Sequence, residues 1–184
     1  MKQKAADPKT RILETATRLF YTQGYNATGI NQIIKEAEVA RASLYMHYQS
    51  KEDLCIAFLN FRHEYWFKCF REFIDPVTVP ERKLIAAFDF LISMNEKEDF
   101  RGCAFMNILS EISPADATIY AIIQNHKQKL RNYLGHILPD SAQLLKDHIY
   151  LLFEASMLES HLYRDQWPVI QSKELLKNLI RNNK

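Results

Sequence analysis

Between Arg41 and Lys51 the sequence RASLYMHYQSK sets out a guanidinium, two serine hydroxyls, two phenols, an imidazole and an ammonium. All of these groups donate hydrogen bonds, and no carboxylate stands among them. The set suits recognition of an anionic partner and lacks the nucleophile and base that bond-breaking chemistry requires. Leu44 points inward at helical spacing, which leaves Arg41, Ser43, Tyr45 and His47 facing out. Elsewhere there is no glycine-rich phosphate loop, no metal-ligand cluster and no nucleophile–base spacing, so neither an enzyme nor a bound cofactor is expected.

A row of donors needs a frame, and the residues before it supply one. Asp7 can cap a first helix, with Pro8 at the position where a missing N–H costs nothing. Ile12, Leu13, Ala16, Leu19 and Phe20 then recur on one face, and Gly24 offers the positive φ that ends such a helix. Thr28 is the expected cap of a second helix, whose inner side is Ile30, Ile33, Ile34 and Ala37. Residues 37–40 (AEVA) form a turn pegged by Val39, and a third short helix covers about Arg41 to Tyr48. Ser50 and Asp53 make a near-version of the capping box at the start of a fourth. Two short helices joined by a tight turn form a helix-turn-helix, whose second helix enters the DNA major groove N-terminus first. Arg41 is then placed to read guanine, or to hold a phosphate, and Ala42 to touch a thymine methyl. Thr28 is placed to present the second helix to a phosphate. Tyr45 and Tyr48 are open to a packing role.

The segments ILETATRLFYTQGY, TGINQII and ASLYMHYQSKEDL closely resemble the tetracycline-repressor (TetR) family of bacterial transcription regulators. The resemblance covers about the first third of the chain, with a weaker echo in RGCAFMNILSE at Arg101 to Glu111. It implies an all-α protein with two parts. Residues 1–50 form a three-helix DNA-binding domain, and residues 51–184 bind an effector and dimerise. It assigns phosphate contacts to Tyr45, His47 and Lys51, beside base contacts near Arg41, Ala42 and Ser43. The chain departs from the family pattern at Glu38, where glycine is usual, and at Ala40, where a capping Ser or Thr is usual. The turn must bend differently or Glu38 must accept a left-handed backbone.

Composition agrees with a helical intracellular protein. Four glycines and six prolines interrupt 184 residues, and alternating strand patterns are missing. The start MKQKAADPKTR has no apolar run, so no secretory signal is expected, and no stretch reaches bilayer-spanning length. Three cysteines, Cys55, Cys69 and Cys103, are odd in number and widely spaced, which points to a reducing cytoplasm. Net charge is +2, and residues 1–53 already carry it with eight basic and six acidic groups. That bias is mild, so the inference to DNA rests on the motif and not on charge.

Beyond residue 50 the chain reads as helices throughout: Lys51 to Ile74, then from Pro80 to about Asn95, a short one to about Ile112, and three more. These are Ser113-Pro114 to near Leu138, Pro139-Asp140 to about Arg164, and one ending near Arg181. The resemblance matches the last two with a dimer interface, expected at Leu145, Ile149, Leu152, Leu175, Leu176 and Leu179. It also implies an effector pocket, with Phe58, Phe61, Tyr65, Phe88, Leu91, Phe105, Met106, Asn107, Glu111 and Tyr120 as candidate walls. Such a lining suits a small, largely apolar molecule. The expected partners are therefore a palindromic double-stranded DNA operator, a second copy of the chain and that effector, with no membrane. The expected function is a repressor released by the effector. The alternative is control of the same fold by a protein partner or by oxidation of Cys103.

Overall fold

The computed structural model describes residues 7–182, so most of the start read above for a signal lies outside the described residues. Among the described residues there are nine α-helices and no strand. They are α1 (Pro8–Gln23), α2 (Ile30–Glu36), α3 (Arg41–His47), α4 (Lys51–Ile74), α5 (Pro80–Lys97), α6 (Ala104–Leu109), α7 (Ala117–Ile137), α8 (Gln143–Tyr163) and α9 (Trp167–Asn182). None of these helices is long and apolar enough to cross a membrane.

The chain forms two compact units, which do not divide at the boundary expected near Ser50. The first holds the described residues through His63 together with Ala104–Ile123. The second holds Glu64–Cys103 and the described residues from Gln124 onward. The division thus falls inside α4, which runs unbroken from Lys51 to Ile74 through both units.

In the first unit, Ile12, Ala16, Leu19 and Phe20 of α1 pack with Ile33, Leu44, Leu54 and Phe58, all buried. Phe20 meets Tyr25 and Phe58 edge to face, with centroids 5.3 and 5.7 Å apart. Each such pair adds ~0.5–1.5 kcal/mol beyond its area. Asp7 caps α1 as expected, accepting from the Thr10 N–H at 3.1 Å. Ser50 and Asp53 complete their reciprocal box at 2.9 and 3.1 Å.

The second unit is built around rings. Trp66 stacks on Phe70 at 4.7 Å, while Phe90, Phe153 and His126 approach Trp66 edge-on. The faces of α5, α8 and α9 close over this cluster through Phe88, Leu91, Ile149, Val169 and Leu176. Two starts differ from expectation. Ser113-Pro114 forms a side-chain-bonded turn (Ser113 N–H to Asp116 Oδ2, 2.8 Å), which delays α7 to Ala117. Pro139-Asp140 likewise stays outside α8, with the Pro139 carbonyl accepting from Lys146 Nζ.

Candidate nucleic-acid interface

The turn between α2 and α3 settles the question posed by Glu38. Its φ is +53°, so a non-glycine residue does hold the left-handed position. The Glu38 N–H donates to Lys35 O and the Val39 N–H to Ile34 O, the paired bonds that close a helix through a left-handed residue. A left-handed residue with a Cβ costs roughly 1–2 kcal/mol. Arg11 offsets part of that cost by donating to the Glu38 carbonyl at 3.1 Å. At the other side of the turn, Ala40 gives α3 no side-chain cap.

With the turn fixed, α3 buries Leu44 and leaves Arg41, Ala42, Tyr45, Met46 and His47 exposed, with Ser43 half-buried. Arg41 is held by Asn31 at the start of α2, whose Oδ1 accepts from its guanidinium at 2.5 Å. The two helices therefore present one joint polar edge. Lys51 is half-buried, its ammonium 4.3 Å from the centre of the Tyr25 ring. Burial holds its pKa below the usual lysine value. A partly stripped ammonium gains more from a phosphate than a fully hydrated one does.

Two residues do not belong on this surface. Thr28 is fully buried and does not cap α2, since Gly29 stands at that position. Its hydroxyl donates to the Gly24 carbonyl at 2.6 Å and accepts from Gln23 Nε2 at 3.1 Å, so it locks the α1–α2 loop. The loop between Gly24 and Gly29 is too tight for Thr28 to lie outside it. Tyr48 is also buried, in the core of the first unit, and burial pushes its phenol pKa up. The structure thus leaves Arg41, Ala42, Tyr45 and His47 exposed, with Ser43 and Lys51 half-buried, and buries Thr28 and Tyr48 in packing.

Sequence reasoning did not name Asn31 or Met46, and it named Glu111 only as a candidate pocket wall. Asn31 carried a signal in hindsight, because the start of α2 and the start of α3 meet in any such turn. Glu111 carried no local one. Expected on a pocket wall, its carboxylate instead accepts from the N–H groups of Tyr25 (3.1 Å) and Asn26 (2.6 Å), 86 and 85 positions away.

The other candidate wall residues are divided between the units. In the first, Phe58 and Phe105 are buried, Asn107 is half-buried, and Phe61, Met106 and Tyr120 are exposed. Phe61 lines a groove of about 380 Å³ with Leu13, Thr17 and Tyr48. In the second, Phe88 and Leu91 are core residues and Tyr65 packs against that core.

The residues expected at a dimer face differ in exposure. Leu145, Ile149 and Leu176 are buried in the second unit's own core, because they sit on the faces where α8 and α9 pack together. Leu152 and Leu179 are half-buried against it, and only Leu175 is exposed. The exposed apolar residues on α8 are Leu144, Leu151, Leu158 and Leu162, with Ile170 and Leu175 exposed on α9.

Residues 12–58 match the model of the bacterial regulatory proteins of the tetR family. The HTH-type transcriptional regulator LmrA of Bacillus subtilis is 50% identical over 60 residues, 32% of each chain. The HTH-type transcriptional regulator QacR of Staphylococcus aureus is 40% identical over 58 residues, 32% of this chain and 31% of its own. The match therefore spans about a third of the length of these curated relatives. Over the whole chain the fold is that of a TetR-family transcriptional regulator from Streptomyces coelicolor, with TM-score 0.85, 23% identity, and coverage of 98% and 91%.

Proposed function

We propose that this chain, of the TetR family by residues 12–58 and by its fold, is a DNA-binding transcriptional regulator that acts as a homodimer on a two-fold symmetric operator. The observation that carries this reading is the exposed row of donors on α3, seated on a turn whose backbone is held at Glu38 and Val39. Arg41 reads a base, with guanine O6 and N7 matching its two parallel N–H groups. Ala42 and Ser43 sit beside it. Tyr45, His47 and Lys51 take phosphates and set register. A second copy packs on Leu144, Leu151, Leu158 and Leu162, and the two-fold symmetry of such a pair matches the two halves of the operator. Incubating the wild-type chain with a random pool of duplexes tests this. Enrichment of sites with two inverted halves supports it, and no enrichment contradicts it.

The regulator is a repressor in this reading, and a largely apolar effector releases it. Only an effector that prefers the conformation unfit for DNA can do so. Its binding then weakens DNA by the same factor by which DNA weakens it. Melting the protein against a panel of hydrophobic compounds finds such a ligand by an upward shift.

A second reading rests on Cys103. Lys127 pairs with Glu154 at 2.5 Å and also donates toward the Cys103 sulfur. Burial lowers the Lys127 pKa, but Cys103 and Glu154 outweigh it and hold the ammonium above the usual lysine range. Cys103 itself is half-buried, whereas Cys55 is buried with its thiol pushed up to about 12. A melting shift with peroxide, absent in Cys103→Ser and with no shift from any apolar compound, favours thiol control.

A further inference from the structure

We propose that Glu111 is a positioning residue for DNA binding: it sets the α1–α2 turn, and through that turn the edge formed by Asn31, Arg41 and Lys51. The proposal rests on the DNA-binding reading above and names a residue that reading does not contain.

The α1–α2 turn is held on its inner side by Thr28 and Gln23. Gly24 ends α1 at φ +102°, and Gly29 starts α2 with no side-chain cap. Within the turn Thr28 ties back to Gly24. Its outer side, Tyr25 and Asn26, is held from a distant part of the chain. Both Glu111 oxygens are used, Oε1 by the Tyr25 N–H and Oε2 by the Asn26 N–H. The Asn26 side chain returns a bond of 2.8 Å to the Glu111 carbonyl, closing a three-bond clamp. Charge-assisted bonds of this kind are about twice as strong as neutral ones. A Cβ at Gly24 would fall 2.9 Å from Glu111 Oε1, so the turn and the carboxylate are fitted to each other.

Two features connect the clamp to DNA. Tyr25, gripped through its N–H, offers its ring to the Lys51 ammonium. Asn31, which holds Arg41, lies two residues beyond the N-cap of α2. A turn released at Tyr25 and Asn26 loosens both. The segment that carries Glu111 also belongs to the same unit as the helix-turn-helix, although α6 and the start of α7 are remote from it in sequence.

The sign of the effect separates positioning from simple electrostatics. Removing a negative charge from a DNA-binding unit tightens DNA binding if charge alone matters. Positioning predicts the reverse. The test uses the full chain and a duplex that the wild-type chain enriches from a random pool. Glu111→Ala should weaken binding by about tenfold or more, as for lost hydrogen bonds to a charged group. The salt slope should stay unchanged, because no phosphate contact is removed. Amide exchange at Tyr25 and Asn26 should accelerate. Glu111→Gln keeps one acceptor oxygen and should fall between. If Glu111→Ala does not fold, Glu111→Gln carries the test by the same two readouts. Binding as tight as wild type or tighter, or unchanged exchange at Tyr25 and Asn26, overturns the proposal. A wild-type chain that enriches no duplex overturns the DNA reading instead, and the exchange measurement still decides whether Glu111 fixes the turn.

Discussion

Within themselves the two units are ordered by different kinds of force. In the first, the backbone is fixed by named polar bonds: Asp7 to Thr10, Thr28 to Gly24, Arg11 to Glu38 and Glu111 to Tyr25 and Asn26. In the second, Trp66, Phe70, Phe90 and Phe153 fill volume, with a few inward polar bonds such as Asn95 to Gln166 and Lys127 to Glu154 set among them. Hydrogen bonds are directional and ring packing is not, so the first scheme fixes a register to tenths of an ångström. The second fixes shape and tolerates exchange of one apolar residue for another. A unit that must meet base edges needs the first kind of order.

The comparison breaks most visibly in the second unit. Leu176 has no exposed surface, and Leu176→Glu buries an unpaired charge that costs on the order of several kcal/mol. Circular dichroism should show lost helix or a much lower melting point. Leu158 is 61% exposed, and Leu158→Glu should keep the helix signal while light scattering falls from twice 21.7 kDa to one chain. If both variants melt like wild type and stay dimeric, the assignment of the two faces is wrong.

Next in size is the polar order of the first unit. Thr28→Val keeps the shape and removes the hydroxyl, leaving the Gly24 carbonyl without that donor. Urea unfolding should show a loss of ~1–3 kcal/mol. A neutral result would mean that the loop is held by packing, as in the second unit. Glu38→Gly should act in the opposite direction, because glycine relieves the left-handed backbone, by roughly 1 kcal/mol. A destabilised Glu38→Gly would show that the Glu38 side chain does more than the angle suggests.

The smallest effect is at acid pH. The Lys83 and Tyr133 side chains hydrogen-bond Asp75 and hold its carboxyl below the ordinary 3.8. A lowered folded pKa contributes stability above the unfolded value and loses it as pH falls through the folded one. Asp75 is about half exposed, which screens the gain. Asp75→Asn should therefore lower stability slightly at neutral pH and flatten its decline below pH ~4. An unchanged acid limb would remove Asp75 from the account.

The difference between the units also explains what the sequence discloses. Helix periods, the Asp7 cap, the Ser50–Asp53 box and the Gly24 stop are local, so they are legible within a few residues. The row from Arg41 to His47 is legible for the same reason. Thr28 was misplaced by one position, because a capping residue and a loop-locking residue carry the same hydroxyl. Tyr48 looks identical in sequence whether it faces a phosphate or a core. Leu145, Ile149 and Leu176 show the limit of periodicity: α8 and α9 are apolar on more than one face, and only tertiary packing decides which face is covered. Glu111 is out of reach of any local rule, since its partners lie more than eighty positions away.

The central claim is that Arg41, at the start of α3, reads a base, while the row behind it holds phosphates. The measurement is the ratio of affinities for an enriched duplex and for its scrambled counterpart, in wild type and Arg41→Ala, at one salt concentration. The account predicts that Arg41→Ala loses ~1–3 kcal/mol on the enriched duplex and little on the scrambled one, so the ratio collapses at one base position in each half-site. Lys51→Ala, run beside it, should weaken both duplexes alike and flatten the salt slope. A ratio unchanged by Arg41→Ala would contradict the claim and reduce Arg41 to one more phosphate contact.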